Sequence, residues 1–157
     1  MNFRVGYGFD LHRWAENRRL VLGGVEIPHD RGLLGHSDAD ALTHAVIDAL
    51  LGALALGDIG QHFPDTDPRF KDAGSLNLLR TVMLLVHDAG YRVGNVDCTV
   101  VTDTPQLAPH VLAIRRSLAK PLGVTDQEVS VKATRTEQVI WSSNEGLLAM
   151  AAVLLYK

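Results

Sequence analysis

The stretch Phe3-Arg4-Val5-Gly6-Tyr7-Gly8-Phe9-Asp10-Leu11-His12 predicts a β-strand, over Phe3 to Asp10, at the start of the chain. Residues i and i+2 of a strand point to the same side, so Asp10 and His12 can project together from one strand end. The next strongly helical segment carries His44 in its first turns. Two imidazoles and one carboxylate form a three-ligand metal set with an open fourth position, which is typical of catalytic sites rather than structural ones.

Strands and helices alternate along the rest of the chain. The predicted strands cover Arg19 to Ile27, Val93 to Asp103, Glu128 to Thr136 and Leu147 to Tyr156, and the predicted helices cover Asp38 to Leu56, Ser75 to Ala89 and Ala108 to Pro121. This order indicates an α/β chain (an α+β sandwich) with a mixed sheet and helices packed on one face.

Local signals refine these elements. Gly23-Gly24 should bend the second strand, and Ser37 with Asp40 resembles a capping box at the head of the first helix. Arg115 and Arg116 are expected to face solvent. The segment from Asp58 to Gly74 reads as one long polar loop.

The composition is that of an ordinary globular protein. The 157 residues favour one domain over 1–157, with 46% apolar and 21% charged residues. A net charge of −3 and no Lys/Arg run longer than two argue against a nucleic-acid surface. The apolar run from Leu147 to Tyr156 is shorter than the ~20 residues of a membrane span. The lone Cys98 leaves no internal disulfide, so we expect a cytoplasmic protein.

The residues around His44 favour the metal hypothesis over the alternative that His12 and His44 are ordinary polar residues at the ends of secondary-structure elements. Asp40 and Asp48 lie four residues to either side of His44 on the same helix face. Ligating imidazoles commonly donate their second N–H to a carboxylate, so both aspartates are candidate outer partners of the metal ligand.

Each of three further segments has two possible interpretations, one functional and one purely structural. His36-Ser37 lies where a helix start could bind phosphate, or Ser37 could only cap the helix. The run from Asp58 to Pro68 could bind hydroxyl groups through its carboxylates, or form a solvated turn. The run from Lys132 to Glu137 could hold a diphosphate with its Mg²⁺, or be a polar strand end.

Taken together, four runs resemble the 2-C-methyl-D-erythritol 2,4-cyclodiphosphate synthase family of the non-mevalonate isoprenoid pathway. They are GYGFDLH at 6–12, the long run from Leu22 to Pro68, GYRVGNVD at 90–97, and VKAT at 131–134 followed by Thr136-Glu137. The resemblance covers nearly the whole chain in the family's order, and 35–68 is its most specific part.

The resemblance implies a homotrimer with active sites between subunits, one Zn²⁺ per subunit on Asp10, His12 and His44, and Mg²⁺ or Mn²⁺ on Glu137. It implies that His36 is the catalytic transition-state stabiliser and that His36 and Ser37 contact phosphate. The remaining implied substrate-binding residues are Asp58, Ile59, Gly60, Phe63, Pro64, Asp65, Thr66 and Asp67 for the methylerythritol part, and Thr102, Pro105, Gln106, Leu107, Ala108, Ala133 and Thr134 for the cytidine part.

The implied reaction is intramolecular. The 2-phosphate of a cytidine diphosphate-linked substrate attacks the β-phosphorus and CMP leaves, which needs positioning and charge neutralisation rather than a protein nucleophile. The sequence agrees, since no Gly-x-Ser-x-Gly motif occurs. Two other hypotheses are a metal phosphohydrolase using zinc-bound water and a trimeric scaffold without turnover.

Three positions depart from the family pattern. Arg135 stands where the family often has threonine, and as a cation it is a candidate catalytic contact to phosphate. Gln106 follows Pro105 where many members have lysine. Ser142-Ser143-Asn144 replaces a common Gly-Arg pair that lines a central trimer cavity in the family.

Overall fold

The computed structural model describes residues 2–71, 73–139 and 145–157. The strands are β1 (Phe3–Ala15), β2 (Leu20–Leu22), β3 (Val25–Ile27), β4 (Gly32–Leu33), β5 (Arg92–Val101), β6 (Val129–Thr134) and β7 (Gly146–Tyr156). The helices are α1 (Ala41–Ala53), α2 (Ile59–His62), α3 (Ser75–Asp88) and α4 (Val111–Leu122), with short 3₁₀ turns at Pro68–Phe70 and Ala108–His110. The departure at Ser142 to Asn144 lies outside the described residues.

The main sheet has the order β4-β1-β7-β5-β6, in which only β5 and β6 pair in parallel. It is therefore a mixed sheet, and the predicted α/β class is confirmed. β2 and β3 form a separate antiparallel hairpin. Among the described residues, no helix has the length and apolar character to cross a membrane.

Helix α1 packs directly on the inner face of β1. A Cβ placed on Gly6 would overlap the carbonyl oxygen of Ala49, and one placed on Gly8 would overlap the carbonyl oxygen of Ala45. Only glycine allows the helix backbone to approach the strand this closely. The opposite face of β1 is open, and its outward residues Phe3, Val5, Tyr7, Phe9 and Leu11 are between 52% and 74% exposed.

The buried carboxylate of Asp40 joins three segments. It accepts hydrogen bonds from the backbone N–H of Gly23 and Gly24 at 2.8 and 2.7 Å, in the turn between β2 and β3. It also accepts from the backbone N–H and hydroxyl of Thr43 in α1, at 2.9 and 2.7 Å. The hydroxyl of Ser75, at the start of α3, completes the set at 2.8 Å. Five donors on two oxygens fix the hairpin and both helix starts relative to one another.

Several sequence predictions about the first half are wrong. The strand predicted over Arg19 to Ile27 is a hairpin, because Gly23 and Gly24 both adopt positive φ angles, 59° and 73°, and reverse the chain. The cap of α1 is Asp40 and not Ser37, so the helix begins at Ala41. The stretch Asp58 to Gly74 is not one loop, since it contains α2 and a 3₁₀ turn.

In the second half, Arg115 does not face solvent as predicted. Its Nε donates to the backbone carbonyls of Asp126 and Val129 at 2.9 and 2.7 Å, which ties α4 to the start of β6. Arg116 is exposed as expected and forms an ion pair with the Asp126 carboxylate. Helix α4 ends at Gly123, whose φ of 71° is the left-handed conformation typical of a helix C-terminus.

Substitution of Asp40 by asparagine should destabilise the protein by about 2–3 kcal/mol, because in either amide orientation a backbone N–H faces an NH₂ group instead of an acceptor. Urea unfolding at one fixed protein concentration measures the change. Asp88→Asn, at an exposed site near the end of α3, is the control and should have no measurable effect. Equal stability of the Asp40 variant and the parent would contradict the role given to this carboxylate.

Candidate active site

Asp10, His12 and His44 meet where the inner face of β1 reaches the first turn of α1. Asp10 and His12 continue the inward row of Gly6 and Gly8, so they lie beside the helix start instead of beneath the helix. The Asp10 Oδ2 atom lies 2.9 Å from His12 Nε2 and 3.1 Å from His44 Nδ1. The predicted meeting of these three side chains is confirmed, although β1 runs on to Ala15 and the pair does not lie at its end.

The three side chains form a charge-coupled cluster. Burial opposes ionisation of Asp10, but the hydrogen bonds with His12 and His44 outweigh it and lower the pKa of this carboxyl to about 2. Burial disfavours the charged imidazole of His12, yet the hydrogen bond to Asp10 outweighs it and raises the pKa of His12. A carboxylate is therefore present at neutral pH to bind a cation.

The cluster fits a divalent transition metal. One ligand atom from each of the three residues lies within 4.8 Å of the other two, as atoms around a single ion must. Two imidazole nitrogens with one carboxylate oxygen are a donor set that suits zinc, with a fourth position left for substrate or water. His12 Nδ1 lies 2.7 Å from the carbonyl oxygen of Leu34, which orients the ring so that Nε2 faces the cluster.

The predicted outer partners of His44 act elsewhere. Asp40 uses both carboxylate oxygens in the network described above, so it does not hold the His44 imidazole as predicted. Asp48 accepts from the backbone N–H of Ile59 at 2.7 Å, and burial raises the pKa of the Asp48 carboxyl. The hydrogen-bond partner of His44 Nε2 is instead the Ser37 hydroxyl oxygen, 3.3 Å away, which accepts from Nε2 when Nδ1 faces the metal position.

A cavity with polar and apolar walls opens beside the cluster. It is lined by Asp10, His12, Gly35, His36, Ser37, His44, Ile59, Gly60, Phe63, Asp65, Phe70 and Leu78. The structure thus brings most of the predicted phosphate and hydroxyl contacts to the metal cluster. Within the part of the chain that the structure describes, the buried Nε2 of His36 has no hydrogen-bond partner.

Other predicted residues lie outside this lining. Asp58 caps α2 by accepting from the backbone N–H of Gln61, and Asp67 caps the 3₁₀ turn by accepting from that of Arg69. Pro64 and Thr66 lie in the same segment, next to the lining residues Phe63 and Asp65.

The residues predicted for the cytidine part form a second groove, after the parallel pair β5 and β6. Its lining is Thr102, Asp103, Pro105, Gln106, Leu107, Ala108, Ala133, Thr134 and Arg135. Among the described residues, the two cavities share no lining residue. Glu137 follows this groove in a left-handed conformation, with a φ of 50°.

Sequence reasoning missed several contacts that shape the site. The guanidinium of Arg18 donates to the carbonyl oxygen of Ser37 at 2.8 Å, and Phe70 and Leu78 line the cavity. No sequence period relates these residues to the ligands, because they lie in separate segments, among them a 3₁₀ turn and α3, that only the tertiary fold brings together. The thiol of Cys98 is buried, and burial raises its pKa to about 12, so it is not a nucleophile at neutral pH.

A mixed sheet with helices and an Asp-His-His cluster beside a cavity fits a metal-dependent enzyme. The model of the YgbB family matches residues 3–156, and the chain belongs to this family. It is similar to two proteins named 2-C-methyl-D-erythritol 2,4-cyclodiphosphate synthase. The one from Syntrophomonas wolfei is 58% identical over 97% of this chain and 98% of the relative. The one from Ralstonia pickettii is 55% identical over 100% and 94%.

The fold comparison agrees with the sequence comparison. A solved structure of 2C-methyl-D-erythritol-2,4-cyclodiphosphate synthase, described as the CDP-bound form, superposes with a TM-score of 0.90 at 40% identity, covering 98% of this chain and 100% of that one. The family resemblance inferred from the sequence is confirmed.

Replacing His44 by alanine should abolish stoichiometric metal binding, because the two remaining protein ligands are too few to hold the ion tightly. Metal analysis after saturation with Zn²⁺ and dialysis should show a fall from about one equivalent per chain to background. Circular dichroism should show the fold retained. His87→Ala, on the exposed side of α3, is the control and should keep its zinc. Stoichiometric zinc in the His44 variant would refute the ligand assignment.

Proposed function

We propose that this protein converts 4-diphosphocytidyl-2-C-methyl-D-erythritol 2-phosphate to 2-C-methyl-D-erythritol 2,4-cyclodiphosphate and CMP. The observation that carries the proposal is the meeting of the Asp10, His12 and His44 cluster with His36 and Ser37 in one cavity. The chain is also 58% identical, over 97% of its length, to a protein named as this synthase.

We assign one Zn²⁺ per subunit to Asp10, His12 and His44. The two-nitrogen, one-oxygen donor set supports zinc over Mg²⁺, which prefers oxygen ligands alone. When bound, such an ion neutralises phosphate charge as a Lewis acid. The lowered pKa of Asp10 keeps the carboxylate ionised for this role.

His36 and Ser37 bind the phosphate groups. His36 lines the cavity, and its buried Nε2 has no hydrogen-bond partner among the described residues, so the imidazole has a free site for a phosphate oxygen. The Ser37 hydroxyl lies 3.3 Å from His44 Nε2, so it can contact a phosphate beside the zinc ligand. We assign His36 as the catalytic group that stabilises charge on the transferred phosphorus in the transition state.

The segment around α2 binds the methylerythritol part. Asp58, Gly60 and Asp65 supply acceptors and close backbone approach for its hydroxyls, and Asp48 fixes this segment through the Ile59 N–H. The same segment contributes Ile59, Phe63, Pro64, Thr66 and Asp67 as its other contacts.

The groove after β5 and β6 binds the cytidine diphosphate part. Backbone groups of the loop from Thr102 to Ala108, including Pro105, Gln106 and Leu107, read the base with Ala133 and Thr134. Arg135 lines the same groove, and we assign its guanidinium as a contact to phosphate. Glu137 binds Mg²⁺ or Mn²⁺ together with the diphosphate, since such ions are commonly held by one or two carboxylates plus substrate phosphates.

The reaction follows from holding two phosphate groups in line. An oxygen of the 2-phosphate forms a bond to the β-phosphorus while the bond from that phosphorus to the oxygen of the CMP phosphate breaks, and CMP leaves with the electron pair. The protein supplies no covalent nucleophile. It orients both groups, neutralises their charge and excludes water, which would otherwise hydrolyse the diphosphate.

Turnover in buffer enriched in H₂¹⁸O tests the reaction class. Cyclisation predicts equal amounts of CMP and cyclic diphosphate, neither carrying ¹⁸O, because no water enters the products. A phosphohydrolase would give a linear product or inorganic phosphate with one ¹⁸O per cleavage. Mass spectrometry separates the outcomes, and label in the products would refute the proposal.

We further propose that the protein is a homotrimer with active sites between neighbouring subunits. Each subunit is a single domain formed by residues 1–157, and the protein is cytoplasmic. The outer face of β1 is an exposed apolar stripe of Phe3, Val5, Tyr7, Phe9 and Leu11, the kind of surface that commonly marks a protein–protein interface. The metal cavity and the nucleotide groove are separate in one described chain, which supports completion of each site by a neighbour.

Val5→Asp should dissociate the trimer, because it buries a charge within the apolar stripe. Light scattering after gel filtration should show the mass fall from three chains to one, with loss of CMP formation. Leu84→Asp is the matched control, since Leu84 is an equally open apolar residue, 63% exposed, on α3. An intact, active trimer in the Val5 variant would refute the assignment of this stripe.

A further inference from the structure

The chain makes an unusual turn directly after β6. Glu137 and Gln138 have φ angles of 50° and 57°, so two consecutive residues with side chains adopt the left-handed conformation. This conformation costs free energy for any residue other than glycine, and it persists only where the surroundings hold it. The preceding residue, Thr136, is 3% exposed and is the buried anchor of the turn.

Asp103 holds that anchor with both of its carboxylate oxygens. Its Oδ1 accepts from the backbone N–H of Thr136 at 3.1 Å, and its Oδ2 accepts from the Thr136 hydroxyl at 2.6 Å. The same hydroxyl oxygen accepts from the backbone N–H of Gln138 at 3.1 Å, and the Thr136 carbonyl accepts from that of Val139 at 3.0 Å. The chain of contacts from Asp103 through Thr136 therefore closes the left-handed turn.

The chemistry of the contact calls for a carboxylate. Thr136 presents two donors to position 103, and a carboxylate is acceptor-only at both oxygens, whereas an amide could accept at one oxygen alone. Asp103 also lies in the wall of the nucleotide groove, where an unengaged carboxylate would repel a diphosphate. Turned toward Thr136, its oxygens are occupied by protein donors.

We propose that Asp103 is a positioning residue for the second cation. Through Thr136 it fixes the left-handed turn that aims the Glu137 carboxylate at a divalent ion bound to the diphosphate. It also ties the loop after β5, which reads the nucleotide, to the turn after β6, which carries the cation ligand. This inference rests on the proposed role of Glu137 in binding that ion.

The test is calorimetric binding of CDP with and without Mg²⁺. The quantity of interest is the gain in CDP affinity on adding Mg²⁺. Asp103→Ala should reduce this gain about tenfold, the size typical for loss of an outer partner of a metal ligand. Asp103→Asn should reduce it less, because one acceptor oxygen remains. The control Asp97→Asn removes a carboxylate of β5 that pairs with Lys132 at 2.6 Å and should leave the gain unchanged.

A second pair of variants tests the contact without changing Asp103. Thr136→Val removes the hydroxyl and should reduce the gain in CDP affinity on adding Mg²⁺. Thr136→Ser keeps the hydroxyl and should retain that gain. In a Glu137→Gln background, Asp103→Ala should have no further effect on the gain, because both changes act on one ion.

The outcomes distinguish the role of Asp103 as a positioning residue from the role of Glu137 as the cation ligand. If Glu137→Gln abolishes the gain and Asp103→Ala weakens CDP equally with and without Mg²⁺, Asp103 only supports the groove and the inference is overturned. If Glu137→Gln keeps the full gain, the assignment of Glu137 as cation ligand fails and the inference fails with it. In that case the zinc assignment to Asp10, His12 and His44 still stands.

Discussion

The two oxygens of the Asp40 carboxylate determine where the loop before α1 and the start of α1 itself lie. Five donors from the β2–β3 turn, α1 and α3 converge on this buried group, so none of the three segments can shift alone. Asp38 extends the network, since its carboxylate accepts from the backbone N–H of Ser75 at 2.8 Å. The segment that carries His36 and Ser37 is therefore anchored at Asp38 and Asp40 to the hairpin and to α3, although it has no regular secondary structure.

Close packing then brings the ligands together. Gly6 and Gly8 let α1 lie against β1 at backbone distance, and the same inward row continues as Asp10 and His12. His44 lies in the first turn of α1, next to Asp10 and His12. The metal cluster is thus a product of the strand–helix contact that builds the core, because that contact sets the positions of all three ligands.

The sequence predicted the residues of the site better than the contacts between them. Spacing along one strand was enough to pair Asp10 with His12, because alternation in a strand is a local rule. The partner of His44 was predicted wrongly, since helical spacing favoured Asp40 and Asp48 whereas the contact is with Ser37 in a loop. Loop contacts depend on the tertiary fold, which local periodicity does not encode. The double-glycine hairpin was missed for a related reason, because its two strands are only three residues long.

The most direct test of this account is phosphorus NMR of the protein with its cytidyl substrate and Mg²⁺, recorded before zinc is stripped, after stripping, and after Zn²⁺ is restored. We expect CMP together with a cyclic diphosphate, lost on stripping and regained with Zn²⁺, because the Asp-His-His cluster must hold an ion for the phosphates to align. Cyclic product at an undiminished rate from zinc-free protein would contradict it, as would CMP formed without the cycle.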